Sequence, residues 1–333
     1  MIRVAILGAS GFVGAELLRL CAQHPDLEPA VLFGDSQAGR DLAAIHPHLA
    51  LAYPDSTVER WSAGRLDGID LVVSALPHGE SQRLAAAILG SGARWVDLGA
   101  DFRLRDPAAY ERWYGEPHEA PELLERFAYG IPELGREAVA SARAVAAAGC
   151  YPTSAILALK PLIDLIEPDS LVVDAASGVS GAGKGLKEET HFDTVDENFT
   201  AYGLLAHRHT AEMEMALGGR VLFTPHLAPM NRGILATCYG VARKSCNPLE
   251  RLRDAYADEP FIHVSERPPS TKWTLGSNAV HLTARYDPRT GRVLAIAALD
   301  NLVKGAAGQM IQCANLMLGL EETAGLPRVG VWP

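Results

Sequence analysis

The amino-terminal stretch constrains the fold more than any other part of the chain. Ile2-Arg3-Val4-Ala5-Ile6-Leu7 is a short apolar strand that runs directly into Gly8-Ala9-Ser10-Gly11-Phe12-Val13-Gly14. Ala15-Glu16-Leu17-Leu18-Arg19-Leu20-Cys21 then carries apolar residues at helical spacing. Strand, glycine turn and helix in that order form a cradle for a dinucleotide pyrophosphate. The glycines let the backbone approach the phosphates, and the free N–H groups of the first helical turn face them. Gly8, Ala9, Ser10, Gly11, Phe12 and Val13 are therefore candidate cofactor contacts. The spacing is Gly-x-x-Gly-x-x-Gly rather than the commoner Gly-x-Gly-x-x-Gly, and the plain alternative is a tight turn.

The rest of the first half keeps the same rhythm. Glu28 to Phe33, Ile69 to Ala75 and Arg94 to Leu98 read as strands, and Gly79 to Leu89 reads as a helix. Alternating strands and helices imply a parallel sheet with right-handed crossovers. Leu76 and Pro77 fall at the carboxyl end of a strand, the edge along which open α/β sheets bind ligands. The second half differs. Leu171 to Ala176, Arg220 to Phe223, Gly233 to Ala242, Ala279 to Tyr286 and Arg292 to Leu299 are strand-like and close together in sequence, which suggests a mixed or antiparallel sheet. Pro268-Pro269 marks a loop, and Ala306 to Leu320 has helical periodicity. The expected fold is an α/β Rossmann domain plus an α+β catalytic domain.

Composition excludes several classes. A chain of 333 residues suggests two domains. A net charge of −10 argues against nucleic acid or an anionic membrane as a general partner. No stretch is long and apolar enough to span a bilayer, and the first residues form a strand rather than a signal peptide. The cysteines, at 21, 150, 238, 246 and 313, are sparse, odd in number and without a CxxC pair, which points to a reducing cytoplasm rather than disulfides.

Cys150 is the candidate nucleophile. The apolar run Ala144 to Ala148 reads as a buried strand ending at Gly149, and Pro152 reads as the opening of a helix. A cysteine at such a turn lies against the positive end of a helix, which favours the reactive thiolate. The alternative is a buried cysteine acting as a small hydrophobe. His207 and His209 are candidate acid/base groups because an imidazole titrates near neutrality. On an extended segment both would face one side. His-x-His also suits a metal, but no carboxylate or cysteine at supporting spacing accompanies it, so no metal is expected.

Read together, the glycine turn, Asp97-Leu98-Gly99-Ala100-Asp101-Phe102-Arg103-Leu104, Gly149-Cys150-Tyr151-Pro152-Thr153, Ser177 to Lys184, His207-Arg208-His209-Thr210-Ala211-Glu212-Met213-Glu214 and Asp300-Asn301-Leu302-Val303-Lys304-Gly305 closely resemble the N-acetyl-gamma-glutamyl-phosphate reductase family. Aspartate-semialdehyde dehydrogenases are more distantly similar. The resemblance spans nearly the whole chain. Ala211 departs from it, since the family often has proline there.

The resemblance implies an NADPH-dependent reduction of an acyl phosphate to a semialdehyde through a thioester on Cys150, in arginine biosynthesis. It places the acid/base role on His209. It also implies a cytoplasmic homodimer or homotetramer, with residues 1–149 and 305–333 forming the nucleotide domain and 150–304 the catalytic domain. Arg103 and Arg208 suit the phosphate and carboxylate of N-acetylglutamyl phosphate, their bland alternative being ordinary salt bridges. Glu214 corresponds to a family position near the substrate, and Tyr202 is a candidate substrate contact beside a polar segment, His191 to Ala201, that could form a lid. Ser180 and Gly181 form a second small-residue loop suited to the cofactor, and Asn301 corresponds to a position that meets the nicotinamide amide. An aminoadipyl phosphate substrate, or a nucleotide-sensing regulator without catalysis, are the competing functions.

Physics and resemblance diverge on the nucleotide. Asp35 follows the second strand, where an acidic residue ordinarily binds the ribose hydroxyls and favours NAD. NADP(H) is expected nonetheless, with Ser36 and Arg40, beside Gly39, receiving the 2′-phosphate.

Overall fold

The computed structural model describes Met1–Pro333. The chain divides into two compact units, one made of Met1–Ala148 and Ala306–Leu326, the other of Gly149–Gly305 and Pro327–Pro333.

The first unit contains β1 (Ile2–Leu7), α1 (Phe12–Cys21), β2 (Leu27–Phe33), the one-turn α2 (Leu42–Ile45), β3 (Leu71–Ser74), α3 (Glu80–Ser91), β4 (Arg94–Asp97), α4 (Pro107–Tyr114), β5 (Phe127–Gly130), α5 (Pro132–Ser141) and β6 (Ala144–Ala147). Its sheet runs β2-β1-β3-β4-β6-β5 with every pair parallel. β1 is an interior strand beside the β2 edge: Ile6 pairs with Leu32 on one side and Val73 on the other. Val4 to Leu7 are fully buried, as a parallel strand covered on both faces requires. The chain leaves β1 in one direction to form β2 and in the other to form β3. That reversal opens a crevice at the carboxyl ends of β1 and β3. β5, four residues long and polar-flanked, is too short to read from periodicity. The helix Gly308–Leu318 packs on α5, β4 and β6. It starts two residues later than its periodicity suggests, because Val303–Ala307 form a π turn first.

The second unit contains α6 (Cys150–Leu159), β7 (Leu171–Gly178), the short α7 (Phe192–Val195), β8 (Thr200–Ala201), α8 (His209–Leu217), β9 (Val221–Ala228), β10 (Ile234–Val241), α9 (Pro248–Ala255), β11 (Ile262–Val264), β12 (Val280–Asp287) and β13 (Arg292–Leu299). Its mixed sheet runs β11-β12-β13-β10-β7-β9-β8. Alternate residues Val173, Ala175, Ala236, Cys238, Ala295 and Ala297 form the buried face. α6 lies on β10 and β13, and α8 packs against α6. Tyr151 to Leu159 are all buried, which explains a helix that is apolar on every side. The opposite face presents Val172, Leu235, Tyr239, Leu294 and Ile296, each partly exposed.

The expected place of the carboxyl-terminal tail changes here. The tail from Pro327 joins the second unit rather than the first, because Asn278 N–H donates to Pro327 O and Val331 N–H to Leu275 O, both at 2.8 Å. The segment read as a lid includes α7 and the edge strand β8, where Thr200 pairs with Leu227 of β9. Next to it, the Phe199 ring stacks on His226 with centroids 5.0 Å apart.

Candidate active site

The glycines of the first unit make space for a ligand's phosphates. Gly8 has φ +81°, and a Cβ there would stand 2.4 Å from the Ala75 carbonyl oxygen at the end of β3. A Cβ on Gly14 would stand 2.3 Å from Gly8 O, so α1 can approach the turn this closely only without a side chain. Gly8 and Ala9 N–H both donate to Phe33 O at 3.0 Å, which pins the turn to β2. Gly11 caps α1 without any side-chain hydrogen bond, so no side chain competes with an anion for the first-turn N–H groups, including those of Phe12 and Val13. These features fit a dinucleotide pyrophosphate. Ser36 and Arg40 lie exposed with Asp35 on the turn after β2, the Arg40 guanidinium donating to Gln37 Oε1. Leu76 and Pro77 stand at the crevice end of β3.

The loop after β4 holds Arg103 firmly. Arg103 is buried, and its Nη2 donates to Leu98 O at 2.6 Å. Asp97 Oδ1 accepts from Ser74 Oγ (2.6 Å), Ser81 Oγ (2.8 Å) and Gly99 N–H (3.0 Å). With no cation to offset its burial, the Asp97 carboxyl is pushed up to about 6. Asp101, fully buried, accepts from Gly79 N–H at 2.9 Å and Gln82 N–H at 3.1 Å and so ties this loop to the start of α3.

In the second unit Cys150 is the first residue of α6, with Gly149 as cap. The helix begins two residues earlier than Pro152 suggested, and Pro152 is third in the first turn, where its missing N–H costs nothing. The thiol therefore sits at the positive helix end. Glu212, 1% exposed, reaches from α8 and accepts the Gly149 N–H at 2.8 Å. His209 opens α8. Its ring centroid lies 4.8 Å from that of His207 and 6.0 Å from that of Tyr151, the neighbour of Cys150. His207 Nδ1 accepts the His209 N–H at 3.2 Å. Burial, reinforced by the nearby Arg208 charge, pushes His207 down to about 4. It is thus neutral at physiological pH, and its Nδ1 holds the first turn of α8.

The other expected residues fall as follows. Tyr202 OH donates to Tyr151 OH at 3.3 Å, and Tyr151 OH donates to His226 O at 3.0 Å. Burial pushes Tyr202 up to about 12, so it stays a neutral donor. Arg208 is exposed beside the histidines. Glu214 accepts Val221 N–H at 3.1 Å, fixing the start of β9, and the carboxylate at the nucleophile loop is Glu212 instead. Asn301 links two backbone segments: its Oδ1 accepts Gly233 N–H at 2.7 Å and its Nδ2 donates to Ser180 Oγ at 2.9 Å. A Cβ on Gly181 would stand 3.0 Å from Ser177 Oγ. Sequence reasoning gave Glu212 no role, although its position three residues after His209 put both on one helical face.

A parallel sheet with a glycine turn that fits a dinucleotide pyrophosphate defines the class as a nicotinamide-dependent oxidoreductase. The family profiles agree: that of the semialdehyde dehydrogenase NAD-binding domain matches residues 3–142, and that of the semialdehyde dehydrogenase dimerisation domain matches residues 150–301. The chain belongs to the N-acetyl-gamma-glutamyl-phosphate reductases of the semialdehyde dehydrogenase family. Reductases of that name from Symbiobacterium thermophilum and Desulforudis audaxviator are 49% and 48% identical, covering all of this chain and 99% and 100% of theirs. Among solved structures, aspartate-semialdehyde dehydrogenase II from Vibrio cholerae in complex with ASA shares the fold, with TM-score 0.72 and 18% identity over 96% of this chain and 98% of that one. The NADP-bound aspartate-semialdehyde dehydrogenase from Candida albicans does so at TM-score 0.70 and 15% identity, over 96% and 98%.

Proposed function

We propose that this chain reduces N-acetyl-gamma-glutamyl phosphate to N-acetyl-L-glutamate 5-semialdehyde with NADPH, releasing phosphate, as a step of arginine biosynthesis. The observation that carries the reading is Cys150 at the first position of α6, its cap residue Gly149 gripped by a buried carboxylate at 2.8 Å. The thiolate attacks the acyl carbon and the C–O bond to phosphate breaks, leaving a thioester on Cys150. A thioester accepts hydride more readily than a carboxylate because sulfur donates less into the carbonyl. A nicotinamide nucleotide held by the first unit would supply that hydride. His209 protonates the developing oxyanion, then removes the proton from the thiohemiacetal hydroxyl as the C–S bond breaks and the aldehyde leaves. His207, held neutral, orients the first turn of α8. Arg103 and Arg208 offer guanidinium groups to the phosphate and carboxylate, and Tyr202 is the further proposed substrate contact.

In the first unit the cradle from Gly8 to Val13, with Leu76 and Pro77, serves the nucleotide, and Ser36 and Arg40 select its 2′-phosphate; in the second unit Ser180, Gly181 and Asn301 are the proposed cofactor residues. The partly exposed apolar sheet face bearing Tyr239, Leu294 and Ile296 is proposed as the contact between copies of this chain, in keeping with the dimerisation-domain match. The test is the reverse reaction, followed by nucleotide absorbance with semialdehyde, phosphate and NADP. Wild type should turn over and Cys150→Ser should not. Turnover by Cys150→Ser would end the thioester scheme.

A further inference from the structure

After β13 the chain passes behind the nucleophile. The π turn Val303–Ala307 places the Gly305 N–H on Asp300 O, five residues back, at 2.9 Å. Such turns are rare and concentrate at functional sites. This one is anchored from several directions. Asp300, fully buried, accepts Leu302 N–H (2.8 Å) and Val303 N–H (3.3 Å) on Oδ1, and Gly276 N–H (2.7 Å) and Arg232 Nη1 (3.3 Å) on Oδ2. Asn301 adds its bonds to Gly233 and Ser180. Lys304, also fully buried, holds Nζ 6.0 Å from the Phe261 ring centre. The extra residue in the turn brings position 305 against the first residue of α6. A Cβ on Gly305 would lie 2.8 Å from Cys150 Cβ and 3.3 Å from its Cα, the next neighbour being Asp300 O at 3.4 Å.

We infer that Gly305 is a positioning residue for the nucleophile: the anchored π turn presses bare backbone against the back of Cys150 and fixes where its thiol sits at the head of α6. The inference rests on the reading of Cys150 as nucleophile. Carbon atoms separate to roughly 3.5–4.0 Å in ordinary contact, so a side chain at 305 demands a displacement of about 1 Å. The turn is held by the bonds of Asp300 and Asn301, so Cys150 and the cap beside it must yield. A misplacement of about 1 Å in a reacting group lowers turnover by roughly 10²-fold.

Gly305→Ala in the full chain should lower kcat by roughly 10²-fold with KM for the acyl phosphate little changed. Iodoacetamide should label Cys150 more slowly, with a pH profile moved to higher pH, since the thiol leaves the helix end that favours its ionised form. Wild-type kcat with a wild-type labelling profile would overturn the inference. A double-mutant cycle identifies the contact. Gly305→Ala should lower the melting temperature markedly more in the wild-type background than in Cys150→Gly, which lacks the Cβ that lies closest. If Gly305→Ala alone fails to fold, folding of the double variant supports the contact. Failure of both, or equal losses in both backgrounds, refutes it. Turnover by Cys150→Ser would instead remove the nucleophile itself, whatever the cycle shows.

Discussion

Replacing Glu212 tests whether the carboxylate behind the nucleophile is structural, chemical or both. Its Oε1 accepts the Gly149 N–H at 2.8 Å, and Glu212 and Gly149 are both buried. Losing the charged acceptor and leaving the buried N–H unpaired costs about 1.5–3 kcal/mol. Glu212→Ala also empties the volume of one methylene and the carboxylate, roughly 1.5–2 kcal/mol more, so about 3–5 kcal/mol is at stake. For a chain of 333 residues that corresponds to a melting-temperature drop of roughly 4–7 °C. Glu212→Gln keeps an acceptor of the same shape and gives up only the charge, about 1–1.5 kcal/mol. Melting followed by circular dichroism should therefore rank wild type, Gln and Ala in that order. In Ala the unheld Gly149 lets Cys150 drift, and kcat/KM should fall by roughly 10²-fold below the melting transition, against about tenfold or less in Gln. If Ala melts and turns over like wild type, the bond to Gly149 does not hold the nucleophile. If Gln is as slow as Ala while melting normally, the negative charge acts on the chemistry directly and the positional account fails.

The histidines should separate by both rate and pH. His209→Asn should slow kcat by roughly 10²–10⁴-fold and His207→Asn by much less, and the reverse ranking in steady-state kinetics would transfer the proton role to His207. Because the folded protein holds His207 down near 4, its neutral form contributes fully above the unfolded value of 6.5 and that contribution is lost as pH falls from there toward 4, about 3 kcal/mol in all. His207→Asn should flatten that part of the stability–pH curve, and an unchanged slope would show that His207 is not buried as described. Among the thiols, burial pushes Cys21 up to about 12 and raises Cys238 and Cys246 too, so brief alkylation at neutral pH should mark Cys150 first by mass spectrometry. Faster labelling elsewhere would contradict that. Arg40→Ala should raise KM for NADPH much more than for NADH, whereas a wild type that prefers NADH would assign the site to Asp35. Ile296→Glu should shift the assembly toward smaller species in sedimentation, and no shift would move the contact off that sheet face.

What the sequence determined by itself was whatever depends on near neighbours. Residues 2–21 had to make strand, glycine turn and helix, because a fully apolar strand, glycines without Cβ and a 3.6-residue apolar period leave few other solutions. The position of Cys150 at a strand-to-helix turn was legible in the same way, to within two residues. β13, Arg292–Leu299, was read with both ends correct because its apolar run is long and sharply bounded. Tertiary structure decided what arises between segments distant along the chain. Glu212 and Gly149 are separated by 63 positions, and only the packing of α8 on α6 makes one carboxylate the clamp and leaves Glu214, two residues on, to hold β9. His207 and His209 look equivalent as a pattern. Burial makes one a neutral cap, and burial depends on the whole unit. Gly305 reads as one more glycine until the π turn sets it against Cys150. Short-range sterics and periodicity are written in the order of residues, whereas desolvation and close approach depend on which surfaces meet, and the order of residues fixes those only through the completed fold.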